Sequence, residues 1–64
     1  MAKNYVEMGG HYHANPYGLV KVVCRGFDHL SGEAVIAYAN IGNGGIVGDI
    51  FMMPEEQFKN IFLK

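Results

Sequence analysis

Residues Glu33–Met52 read EAVIAYANIGNGGIVGDIFM, and this stretch decides the fold. At its centre, Gly42-Asn43-Gly44-Gly45 is the strongest turn signal in the chain. An Asn-Gly pair accepts the positive φ that a two-residue hairpin loop demands at both central positions. The flanking runs, Glu33–Ile41 and Ile46–Met52, are rich in Ile, Val and aromatic residues, the types that suit a pleated surface. The stretch therefore predicts two antiparallel strands joined by a tight turn.

Working outward toward the N-terminus, Asp28–Gly32 is a polar loop, and Leu19–Phe27 is a third strand carrying Val20, Val22 and Val23. Asn15-Pro16-Tyr17-Gly18 predicts a β-turn, with Pro fixing φ at the second position and Gly at the fourth. A fourth, short strand is expected over Gly10–Ala14. Toward the C-terminus, Pro54 suits the first turn of a helix, and Glu55 and Glu56 favour its positive end. Phe58, Ile61 and Phe62 follow at i, i+3 and i+4, one apolar stripe of a helix over 54–63.

Strand faces alternate. Strict alternation puts Val20, Val22 and Cys24 on one face and Leu19, Lys21, Val23 and Arg25 on the other. In the next strand Ile36, Tyr38 and Asn40 oppose Val35, Ala37, Ala39 and Ile41. Apolar residues fall on both faces, whereas a half-exposed sheet carries a polar outer face. Something covers the second face: a helix, barrel closure or another subunit. The expected architecture is a single domain over 1–64. It is mostly β, a small bent antiparallel sheet, SH3-like in outline, with one short C-terminal helix; residues 1–9 are flexible or an edge strand.

Composition narrows the class. Half of the 64 residues are hydrophobic and 17% are charged, which fits a folded domain and not a disordered one. A net charge of −1, spread along the chain, gives no basic stripe for a nucleic-acid polymer. No apolar run is long enough to span a membrane. Met1–Gly10 has no apolar core of a signal peptide. Cys24 is the only cysteine, so no intrachain disulfide forms, and a cytoplasmic location is expected (the host cytoplasm, if the source is a phage). In a chain this short, apolar burial only roughly balances the entropy of ordering the residues. Few charges on so much surface also suggest an apolar interface. Both considerations predict a homo-oligomer.

The chain resembles a family of short bacterial and phage proteins known as a domain of unknown function. Gly10-His11-Tyr12-His13 is similar to the family's Gly-x-Tyr-x-His opening, one residue short before the second His. His29-Leu30-Ser31-Gly32-Glu33 is similar to its His-x-x-Thr-x-Glu turn, and Ile36-Ala37-Tyr38 to its Val-x-Tyr strand. Pro54-Glu55-Glu56-Gln57-Phe58 is similar to its Arg-Pro-x-Glu-x-Phe ending, with Met53 in place of the Arg. The Trp of the family's hairpin strand has no counterpart. The resemblance spans most of residues 10–62 and implies a compact β-rich fold from a phage or bacterium. It brings no established activity.

The chemistry-bearing residues are few. On a strand, His11 and His13 point to one side and Tyr12 to the other. Joined by His29 and Cys24 they would make a metal site, but spacing secures only two ligands where zinc needs three or four, so no metal or cofactor is expected. Cys24, inside a valine-rich strand, is expected to be buried and inert and not part of a Cys/His/Asp arrangement, and the four glutamates include no spaced pair, so no enzyme is expected. Gly42–Gly48 could cradle a phosphate, yet it lacks the Gly-Lys-Ser/Thr ending of a P-loop and reads better as a hairpin.

What remains is recognition. His11, Tyr12, His13, Tyr17 and Arg25, with Tyr38 and Asn40 behind them, supply ring faces, a planar cation and imidazoles, which together suit a base plus a phosphate. Arg25 lies about six residues, ~20 Å, along the strand from the Pro turn. A site shared between subunits would bring these groups together. The first functional expectation is a non-catalytic oligomer that binds a small anionic ligand such as a signalling nucleotide, acting as a phage anti-defence sponge. The second is an SH3-like module whose edge strand or aromatic groove binds or inhibits a host protein.

Overall fold

The computed structural model describes residues 5–63. Four strands and a helix follow in order: β1 (His11–Ala14), β2 (Gly18–Phe27), β3 (Ala34–Gly42), β4 (Gly45–Pro54) and α1 (Glu55–Phe62). Every pairing is antiparallel and the sheet order is β1-β2-β3-β4, an open meander with β1 and β4 at its edges. The mostly-β class, the antiparallel sheet and the C-terminal helix are as the sequence predicts. None of the four strands departs from its expected boundaries by more than two residues.

The turns reach the same connectivity by other means. Gly42 pairs with Gly45 across Asn43-Gly44, as expected of a hairpin. The positive φ, however, falls on Gly44 (92°) and Gly45 (127°) and not on Asn43. Only glycine enters that region freely, and two successive glycines take the strain from Asn43. Between β1 and β2 residues 15–17 form a turn, as expected, and the Asn15–Pro16 peptide bond is cis. In the polar loop, Asp28 accepts hydrogen bonds through its side chain from the N–H groups of Leu30 (2.8 Å) and Ser31 (3.0 Å).

A bulge in β2 overturns two expectations. Val22 pairs with Tyr38 and Cys24 with Ala37, so Val23 and Cys24 together oppose one residue of β3. An inserted residue inverts the alternation for everything after it. Cys24 is therefore exposed and does not join Val20 and Val22 in the core. Arg25, opposite Ile36, moves to the helix-bearing face.

α1 begins after Pro54, which is its N-cap (φ −56°, ψ 141°) and not its first turn. Glu55 and Glu56 occupy the first turn. Phe58 and Phe62 are buried and Ile61 is half-buried, as the apolar stripe requires. The helix lies on one face of the sheet, and the core between them consists of Val6, Val20, Val22, Ile36, Tyr38, Met53, Phe58 and Phe62. Val6 belongs to the segment ahead of β1. There the Gly9 N–H donates to the Val22 carbonyl (3.0 Å), and the Val22 N–H donates to that of Gly10 (2.9 Å). Residues 5–10 thus run as turn and coil, with no edge strand among them; the expectation for 1–4 lies outside the described residues. No helix is long and apolar enough to cross a membrane among the described residues.

Candidate functional site

An aromatic groove of about 360 Å³ opens where the β1–β2 turn meets the helix-side face of the sheet; it is lined by Pro16, Tyr17, Tyr38, Asn40 and Phe51. Each wall has a structural reason. Tyr38 and Asn40 alternate on the same face of β3 as Ile36. Phe51 sits directly across from Tyr38 on β4, with ring centroids 6.0 Å apart. Tyr17, at the end of the turn, leans on Phe62 at 5.6 Å. The Asn40 side-chain amide donates to the Tyr17 carbonyl (2.9 Å) and so ties the turn to β3.

Tyr38 belongs both to the groove and to the core. Its ring touches Phe51, Phe58 and Phe62. Burial, and then the neighbouring Tyr17 phenol, push its hydroxyl above the usual tyrosine value of 10.0. Tyr17 and Phe51 are each more than a third exposed, so the groove presents ring surface to solvent.

Of the residues expected to bind, Tyr17, Tyr38 and Asn40 come together here. The others do not. Tyr12 is half-buried beneath α1, edge-on to Phe58 at 5.6 Å, and its hydroxyl accepts from the Glu7 N–H (2.9 Å). His11 and His13 pair with Lys21 and Leu19 on the opposite face of the sheet. Arg25 donates to the Glu55 carboxylate at 3.0 Å. Arg25 is 38% exposed in this pair, so screening by water keeps its worth below about 1 kcal/mol. Arg25→Ala is accordingly expected to lower stability by no more than that, read from denaturant unfolding, and to leave the groove's binding unchanged. Phe51 and Pro16 are lining residues that sequence reasoning missed.

A second cleft, of about 440 Å³, lies at the other end of the sheet between the Asp28–Glu33 loop and Met52, Met53 and Pro54. The carboxylate of Asp28 is engaged there by the Ser31 and Leu30 N–H groups, which hold its pKa below the usual carboxylate value. Among the described residues, no three of His, Cys, Asp and Glu converge as a metal would require. No family model matches the chain, and no curated protein or solved structure is significantly similar to it.

Proposed function

We propose that the chain is a non-catalytic binding module whose Tyr17–Tyr38–Phe51 groove takes an extended, apolar, proline-containing segment of a partner protein. One observation carries the reading: the groove is walled by three rings and a proline and lined by no charged residue. An extended polyproline-type segment loses little entropy on binding, and its prolines pack against aromatic rings. Tyr phenols and the second N–H of the Asn40 amide, whose first donates to the Tyr17 carbonyl, are the donors that suit its unpaired carbonyls.

The competing reading, sequestration of a signalling nucleotide by a phage protein, draws on the resemblance to phage and bacterial chains. It finds rings on which a base could stack, but its phosphates need a cation. Arg25 is engaged by Glu55, and His11 and His13 belong to the other face.

Titration of the protein with a Pro-x-x-Pro decapeptide, followed by tyrosine fluorescence and thermal shift, distinguishes the two. The expected result is saturable micromolar binding, lost in Phe51→Ala, with no shift on adding mononucleotides or cyclic dinucleotides. Stabilisation by a nucleotide and none by the peptide would overturn the proposal in favour of the sponge.

A further inference from the structure

The face of the sheet that α1 does not cover is made for a second apolar surface. Cross-strand partners share a face, so the register defines it residue by residue. β3 contributes Ala37 and Ala39, opposite Met52 and Ile50 of β4 on one side and Cys24 and Lys21 of β2 on the other. Leu19 and Val23 lie with the β2 row, and Ile46 continues the β4 row. Met52 is 71% exposed and Ile50 56%, while Ala39 is fully buried although none of the described elements lies over it. The face is therefore a trough: a short alanine floor at Ala37 and Ala39 in the middle of β3, closed at its ends by Val35 and Ile41, between a β2 wall and a β4 wall.

We infer that this trough is a self-association surface and that its occupant is a second copy of the chain. The inference does not rest on the groove reading, since the groove lies on the other side of the sheet. A trough of this kind is complementary to itself. A two-fold axis parallel to the strands, between β3 and β4, lays each Ile50–Met52 wall on the partner's alanine floor. It then stands between the partner's own two walls. The walls of the two copies interdigitate, as facing sheets do at a separation of about 10 Å with nearly aligned strands.

The area is what such a contact needs. Leu19, Val23, Ile46, Ile50 and Met52 leave roughly 500 Å² of apolar side chain open on one face, the upper end of what monomers tolerate in one patch. Two copies together bury at most about 1,000 Å² of it, since β2 lies just beyond the partner's β4 edge, and a polar rim brings the total toward the ~1,200 Å² of a specific interface. Charge points the same way. Lys21 is the one charged residue that the pairing register places on the face, and its stem can lie along the wall while its ammonium reaches the β1 edge. Counting only Lys21 as charged, with His11 and His13 bordering it on β1, the face offers little to a nucleic acid or to an acidic lipid surface.

Sedimentation velocity over a concentration series tests the inference. The unaltered chain should run at twice its 7.1 kDa mass at high concentration. Leu19→Glu and Met52→Glu, one on each wall, should run as monomers with an unchanged far-UV circular dichroism spectrum. Cys24 gives a second measurement that needs no substitution, because the interface would cover it. Its labelling by a thiol reagent should slow on the order of tenfold as the monomer fraction falls by mass action. A monomer at every concentration, a doubled mass that both substitutions leave intact, or a labelling rate independent of concentration would each overturn it.

Discussion

Phe58→Ala should leave the chain largely unfolded at physiological temperature. Phe58 is fully buried and sits at the centre of the ring cluster, stacked on Phe62 at 4.4 Å and in contact with Tyr12 and Tyr38. Truncating a buried phenylalanine costs about 3–5 kcal/mol. A domain of this length has only about 3–10 kcal/mol in hand. The loss is also not local. α1 has 8 residues, too few to persist without docking, and Phe58 and Phe62 are its two buried side chains. When it leaves, Ile36, Val20 and Val22 lose their cover as well. Asn60→Ala, on the exposed side of the same helix, is the control and should stay within about 0.5 kcal/mol of the parent. Thermal unfolding followed by circular dichroism decides the matter. A Phe58→Ala melting temperature within a few degrees of the parent's would show that the helix is not what closes this core.

The element order was legible because each signal is local. An Asn-Gly between two β-branched runs, or Pro-Glu-Glu ahead of an i, i+3, i+4 apolar stripe, needs no knowledge of the rest of the chain. What could not be read were the two places where the ladder slips. The bulge at Val23 inverted Cys24 and Arg25: it removed Cys24 from the expected core and set Arg25 on the helix-bearing face, where Glu55 holds it away from the groove. No turn residue marks it, because Val-Val-Cys is a good strand whichever way it faces. In β4 the register moves between Ala39 and Asn40, with Asn40 opposite Val47 and Ala39 opposite Ile50. Gly48 and Asp49 are left out of the pairing, and Gly48 has a φ of 78°. Counting back from the hairpin without that slip sets Asp49 across from Tyr38. The structure sets Phe51 there, and with it the third ring of the groove. A shift of two residues keeps each side chain on its face, which is why the core was readable and the groove was not. Gly48 was the available signal, since an isolated glycine in a strand often marks a bulge. The three groove residues the sequence did supply, Tyr17, Tyr38 and Asn40, follow from β3 alternation and the Pro turn, both upstream of the slip.

Tyr38 is where core and groove can be separated by substitution. Tyr38→Ala removes a ring that contacts Phe51, Phe58 and Phe62, and a loss of about 3–5 kcal/mol, comparable to other buried aromatic truncations, is expected. Binding at the groove should vanish with the fold. Tyr38→Phe keeps the ring, so stability at neutral pH should change by less than about 1.5 kcal/mol. Phe51→Ala takes the opposite course: its ring is 48% exposed, so most of the loss should fall on peptide binding and little on the melting temperature. Alkaline unfolding gives an independent reading of the same residue. Burial raises the Tyr38 phenol above its unfolded value, so the folded state holds that proton more tightly than the unfolded chain does. Its contribution is fully present below the unfolded tyrosine pKa of about 10 and is lost as pH rises through the folded value. The parent should therefore lose stability above about pH 10 more steeply than Tyr38→Phe, which has no proton to release there. Identical alkaline profiles would mean that the Tyr38 hydroxyl reaches water freely, and that the floor of the groove is more open than its packing against Phe58 and Phe62 implies.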